Sequence, residues 1–143
     1  MVIIGDVYMI LKIDEYGWAN IYIGDNGSIF TGRASYLRDT PLEMLNAFKL
    51  YVDNETIPVI KCDEEGSEFL IIVDEYATYI ISNRKNVECC SWNISCKDFI
   101  LQVLKDIKSQ MRNAIFFMCD DEEEKEREEK IKHLISYIEE NLK

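Results

Sequence analysis

The sequence predicts an α+β fold: a mostly antiparallel curved sheet of about six to seven strands, one inserted helix and a C-terminal helical pair. Three observations carry that expectation. Short apolar runs divided by turn residues fill the chain up to residue 36 and again over 58–95, and connections so short join only antiparallel neighbours. Between these two regions, Thr40-Pro41-Leu42-Glu43 has the form of a helix start. After Ser95 the apolar spacing lengthens from the strand period to the helix period.

Taken in order, Val7–Ile13 is an apolar strand, and Tyr16-Gly17 turns it into Trp18–Ile23, which alternates. Asp25-Asn26-Gly27 is a hairpin signal, because Asn-Gly adopts positive φ at little cost. Ser28–Tyr36 returns as the third strand, with Gly32 expected at a bulge. The inserted helix opens on a capping box in which Thr40 accepts from the Glu43 N–H and Glu43 reaches back to the Thr40 N–H. Pro41 is tolerated there because its missing N–H has no partner in a first turn. Leu42, Leu45, Phe48 and Val52 then recur at helical spacing.

Four strands follow as a meander: Pro58–Cys62, Glu68–Val73, Thr78–Ser82 and Val87–Ser95. Their turns are Glu64-Glu65-Gly66, Asp74-Glu75-Tyr76-Ala77 and Asn83-Arg84-Lys85-Asn86. The strand Phe69-Leu70-Ile71-Ile72-Val73 is apolar on both faces, and helices are expected to cover one of them. Ser95 caps the second helix, with Asp98 at its third position. Phe99, Val103, Leu104, Ile107, Met111, Ala114, Ile115 and Met118 trace one face of it. A third helix is expected from near Asp121, with Ile131, Leu134, Ile135, Ile138 and Leu142 as its stripe. That stripe is expected to pack on its own domain, against Met111, Ile115 and Met118. Glu123–Arg127, Glu126–Lys130 and Glu128–Lys132 are spaced to support its charged start.

The 143 residues fit one domain, residues 1–143, and at that length about 68% of the unfolded surface is buried on folding. The 48% hydrophobic content argues against disorder. The net charge of −11 disfavours nucleic acid and anionic membrane surfaces, which repel it. No apolar run is long enough to span a bilayer, and the N-terminal stretch lacks a basic region and a small-residue cleavage site, so it reads as mature chain. Without a signal segment the five cysteines are expected to be reduced and the location cytoplasmic. The Asn-x-Ser/Thr triplets at Asn26, Asn54 and Asn93 then carry no modification.

The charge is concentrated. In residues 53–75, Asp53, Glu55, Asp63, Glu64, Glu65, Glu68, Asp74 and Glu75 face only Lys61, so eight acids and one base leave −7 of the total of −11. Most of these acids fall on turns, where a basic protein partner reaches them. The candidate partner-binding residues are Asp63, Glu64, Glu65, Glu68, Asp74, Glu75 and Tyr76. The plain alternative is that acidic turns solubilise the chain and guard its strand edges. Trp18, Tyr22, Tyr36, Tyr51, Tyr76 and Tyr79 are candidate anchors, since interface hot spots favour Trp and Tyr.

No catalytic residue, metal site or cofactor is expected. The one histidine, His133, reads as a helix-surface side chain. Cys89 and Cys90 are adjacent in a strand and so point to opposite faces, with Cys90 beside Trp92 and Ile94. The acidic run 120–124 lacks the alternating ligand spacing and glycine of a calcium loop.

Trp18, Phe30, Ala34-Ser35-Tyr36-Leu37-Arg38-Asp39-Thr40-Pro41-Leu42, Leu45 and Ala47 together resemble a group of small bacterial proteins with a strand, a Ser-Tyr-Leu loop, a helix and a meander. Some of that group are associated with immunity functions in contact-dependent or polymorphic toxin systems. The likeness covers the hairpin, loop and first helix. It implies a cytoplasmic binder without catalysis and transfers no site residue. The leading expectation is therefore a protein-binding module, an immunity-type inhibitor of a basic toxin. The alternatives are a small-ligand-binding or enzymatic α+β domain with a pocket in the curved sheet, and an oligomerisation protein using its terminal helix.

Overall fold

The computed structural model describes residues 9–15, 17–118 and 122–143. Val7, Tyr8, Tyr16, Cys119 and Asp121, which figure in the sequence reading, lie outside them. The chain is α+β, with two antiparallel sheets and four α-helices among the described residues. β1 (Leu11–Ile13), β2 (Trp18–Ile23) and β3 (Phe30–Ser35) form the first sheet in that order. Helix α1 (Thr40–Asn54) follows. β4 (Val59–Asp63), β5 (Glu68–Val73), β6 (Thr78–Ser82) and β7 (Glu88–Trp92) form the second sheet, again in chain order. α2 (Cys96–Ser109), α3 (Met111–Ile115) and α4 (Glu124–Asn141) complete the chain.

The strands thus divide into sheets of three and four, where one curved sheet was expected. β3 and β4 lie side by side but form no hydrogen-bonded ladder. Gly32 sits at their junction. Its register with Ile21 is regular, so it is no bulge. A Cβ there would lie 2.6 Å from the Phe69 ring of β5, and only glycine leaves that ring room. Phe69 in turn meets Phe30 edge-on, with ring centroids 5.0 Å apart.

The start of α1 also differs from the expected box. Asp39 is the cap: its carboxylate accepts from the Leu42 N–H at 3.5 Å, and its carbonyl accepts from the Glu43 N–H at 2.8 Å. The Thr40 hydroxyl is buried without a hydrogen-bond partner among the described residues, and Glu43 turns instead to Arg38 at 3.0 Å. The asparagine–glycine hairpin behaves as read, with Asn26 at φ 55° and Gly27 at φ 75°.

The second helix is broken at Gln110, which leaves α3 as a separate turn and makes the C-terminal pair a set of three. The break has a purpose in the packing. The Gln110 amide accepts from Ile13 N–H at 2.6 Å and donates to the Leu11 carbonyl at 2.9 Å. Asn113 donates to the Ile13 carbonyl at 3.0 Å. Asp106 accepts from the N–H groups of Ile10 and Leu11 at 2.8 and 2.9 Å. Side chains of α2 and α3 therefore satisfy the outer backbone edge of β1, which would otherwise be buried unpaired.

One hydrophobic core joins both sheets to the helices, drawing on residues from Ile10 to Ile138. Phe48 of α1 and Phe99 of α2 meet edge-on at 6.4 Å within it. Burial of each such ring contributes about 1.5–3 kcal/mol. The α4 stripe is covered within the chain, as expected, with Ile131, Leu134, Ile135 and Ile138 buried, but it packs chiefly on α1 and less on α3, and Met118 of the expected face is 44% exposed. Of the expected pairs on α4, Glu128 and Lys132 meet at 2.6 Å. Arg127 instead crosses to Asp39, so that the same carboxylate caps α1 and anchors α4.

Candidate functional site

Sheet pleating sorts the second sheet into two faces. Ile60, Cys62, Phe69, Ile71, Val73 and Ile80 point into the core and are essentially inaccessible. The outward residues fall into two cross-strand rows: Val59, Ile72, Tyr79 and Ser91, and beside them Lys61, Leu70, Ile81 and Cys89. An antiparallel sheet with one face to water ordinarily alternates apolar-in and polar-out. Here the outward rows are largely apolar too. Val59 is 53% exposed and Tyr79 38%, with Leu70, Ile72 and Ile81 half-buried between them.

The acids expected to form one surface are divided between the two ends of this face. Asp63, Glu64, Glu65 and Glu68 lie around the β4–β5 turn; Asp74, Glu75 and Tyr76 lie in the β5–β6 turn. The six residues of β5 separate them, about 20 Å of extended chain. Asp53 and Glu55 are elsewhere again, at the end of α1, where Asp53 binds Lys49 at 2.7 Å and the Tyr137 hydroxyl at 2.5 Å.

Within the first turn the acids do different work. Asp63 accepts from the Glu65 N–H at 2.7 Å and from the Ser35 hydroxyl at 3.4 Å, which shapes the turn. Glu68 pairs with Lys61 across the ladder at 3.3 Å. Glu64 is the most enclosed of the set, with its side chain 11% exposed. It binds Arg84 at 2.6 Å, the Ser67 hydroxyl at 2.8 Å and the Arg33 N–H at 3.4 Å. Burial pushes its carboxyl pKa up, but the Arg84, Ser67 and Arg33 hydrogen bonds outweigh that and hold it below the ordinary glutamate value. Arg84 also donates to the Thr31 carbonyl at 2.8 Å and lies over the Phe30 ring at 4.8 Å. Glu64 and Arg84 thus bridge β3 to the second sheet with one acceptor and one donor. Glu64, expected only as part of a partner surface, thus also has a structural role.

Glu65 is left exposed, at φ 59° before Gly66. At the other end Asp74 accepts from the Glu75 N–H at 2.8 Å, Glu75 is exposed and Tyr76 is 78% exposed. Of the candidate aromatic anchors, Tyr76 and Tyr79 adjoin the outward face. Trp18 is covered by the Arg33 guanidinium at 4.6 Å, and Tyr51 is packed against the core.

No family model, curated protein or solved structure matches the chain.

Among the described residues, no group of three or more metal-ligating side chains comes together, and no helix is long and apolar enough to cross a membrane. Cys62, Cys89, Cys90 and Cys96 are free thiols. As the strand alternation required, Cys90 packs with Trp92 and Ile94 against the core, while Cys89 is exposed. His133 is an exposed side chain of α4 beside Tyr137, with ring centroids 6.5 Å apart. The outward apolar rows were legible in Phe69-Leu70-Ile71-Ile72-Val73. The bridging role of Arg84 had no local signal, because it depends on β3 lying beside β4.

Proposed function

We propose that the chain is a protein-binding module, an immunity-type inhibitor that neutralises a basic toxin in the cytoplasm through an acidic-rimmed surface. The observation that supports this reading best is the outward face of the second sheet. It carries Val59, Leu70, Ile72, Tyr79 and Ile81 to solvent and has exposed acids at both ends. An apolar centre with a charged rim is the usual anatomy of a protein interface. The acids steer a basic partner, and the apolar rows and Tyr76 hold it. Glu65, Asp74, Glu75 and Tyr76 are the contact residues of this reading, whereas Glu64 supports the sheet.

The experiment is the association rate with a basic toxin domain encoded beside this gene, measured at low and high salt. Reversing Glu65 and Glu75 to Lys slows association by about tenfold or more at low salt and leaves thermal unfolding unchanged. An association rate indifferent to both salt and reversal removes the acidic rim from the interface. An intact toxin activity at saturating inhibitor ends the reading altogether.

A further inference from the structure

The four strand edges of the two sheets are treated unequally. The β1 edge is sealed by Asp106, Gln110 and Asn113. The β3 edge is bridged by Glu64 at the Arg33 N–H and by Arg84 at the Thr31 carbonyl. The β4 edge lies against β3 and α1. β7 is different. Its register with β6 is regular from Glu88 to Trp92, with no bulge, and it contains neither proline nor lysine. Glu88, Cys89 and Ser91 are exposed, and the preceding Val87 is 78% exposed. Over residues 88–91, beyond the ladder, the hydrogen bond among the described residues is a long local one, from the Cys89 thiol to the Cys90 carbonyl.

An edge strand presents unpaired N–H and C=O groups at alternate residues, and a regular edge is a template for another strand. Proteins ordinarily blunt such edges, and this chain does so at β1 and β3 with specific side chains and at β4 with neighbouring elements. We infer that the β7 edge, over residues 88–91, is a strand-addition site for an extended, basic segment of a partner protein. The inference rests on the protein-binding reading above and names where the partner attaches.

Charge selects the occupant. At the start of the edge Glu88 is offset by exposed Lys85, and in the first turn of α2 exposed Asp98 is offset by exposed Lys97. At the far end, however, the Cys96 N–H bonds the Glu75 carbonyl at 3.0 Å, which brings exposed Asp74 and Glu75 of the β5–β6 turn beside the end of β7 with no base among them. A second copy of this chain carries the same net charge of −11 and is repelled, whereas a segment carrying Lys or Arg is attracted. The outward rows end on Cys89 and Ser91, so an added strand would extend the apolar face rather than start a new one. Main-chain bonds would supply the affinity and alternate side chains the selectivity.

The test uses a short peptide of alternating lysine and valine, its glutamate–valine counterpart, and the lysine–valine peptide interrupted by proline. Amide hydrogen exchange is followed residue by residue on the full chain. The lysine–valine peptide slows exchange of outward amides within 88–91 by about tenfold or more, and the other two peptides do not. Ser91→Lys, an exposed change, abolishes that protection while the melting temperature stays within a degree or so of wild type. Equal protection by the glutamate peptide overturns the charge argument and with it the proposal. Changes confined to Glu65 and Glu75 overturn the edge site and leave the acidic-surface reading standing. A free protein that is already dimeric, with 88–91 protected, makes a second copy the occupant and overturns the inference. If no peptide perturbs 88–91 at millimolar concentration the edge proposal falls, and the toxin association rate alone decides the broader reading.

Discussion

Arg84 holds Glu64 at 2.6 Å, and the pair completes the backbone of β3 with side chains in place of a neighbouring strand. A strand edge abutting a second sheet must find partners for its N–H and C=O groups, and this ion pair supplies one of each. It is held by five hydrogen bonds converging on two side chains rather than by Coulomb attraction alone.

Glu64→Gln keeps the shape and removes the charge, and it lowers stability at neutral pH by about 1–2 kcal/mol, since hydrogen bonds to charged groups are the stronger kind. The Glu64 carboxyl is held below its ordinary value, so its contribution is full above about pH 4.5 and is lost as pH falls through the depressed folded value. Denaturant melts of wild type and Glu64→Gln therefore differ at pH 7 and converge in acid, below the depressed folded value. Glu65→Lys, at the exposed tip of the same turn, leaves the midpoint unchanged at both.

Asp106 makes the opposite pH prediction. Burial pushes its carboxyl up from 3.8 to about 6, against the Leu11, Gln102 and Ile10 hydrogen bonds that favour the ionised form. Folding thus favours the proton on this group. Its contribution is fully present below about pH 4 and is lost as pH rises through about 6. Asp106→Asn flattens that part of the stability profile. Asp106→Ala leaves the Ile10 and Leu11 N–H groups buried without their acceptor, and costs about 2–4 kcal/mol across the range. Chemical denaturation from pH 4 to pH 7 checks both.

The terminal helix is part of the core, with Ile135 only 3% exposed. Ile135→Asp lowers the melting temperature by the same amount at every protein concentration, because a carboxylate is forced into the packing between α4 and its neighbours. Calorimetry over a hundredfold dilution series tests this. A stable monomer replacing a dimer, with the fold unchanged, would show that the helix joins two copies instead.

The thiols are ordered by environment. Burial pushes Cys62 far up and Cys96 up to about 11, so neither supplies thiolate near neutral pH. Cys89 is exposed. Alkylation at pH 8, mapped by mass spectrometry, modifies Cys89 first among these three and reaches Cys62 and Cys96 only on unfolding.

Local signals decided most of the elements. The apolar runs bounded by turn residues became strands at nearly the expected places, and Asn26-Gly27 turned as Asn-Gly must. Cys89 and Cys90 parted to opposite faces because strand alternation allows nothing else. The α4 stripe told which of its residues would be buried. Each of these follows from a period or a dihedral preference that a few neighbouring residues set by themselves.

What failed locally depended on residues far apart in the chain. Thr40 looked like the helix cap, but Arg127, 88 positions beyond Asp39, fixes the Asp39 carboxylate at the helix start. Gly32 looked like a bulge, but it is small to admit Phe69. The helix after Ser95 breaks at Gln110 because that side chain serves β1, about a hundred residues earlier. Glu64 looked like one more acid in a charged stretch, and only the approach of β3 and Arg84 turned it into a structural residue. The sequence by itself determined the α+β composition, the strand and helix periods and the excess of acid. The tertiary structure decided the split into two sheets, the partner of each buried polar group and which acids remain exposed. Periodicity is a property of neighbours along the chain, whereas hydrogen-bond satisfaction and charge pairing are properties of neighbours in space.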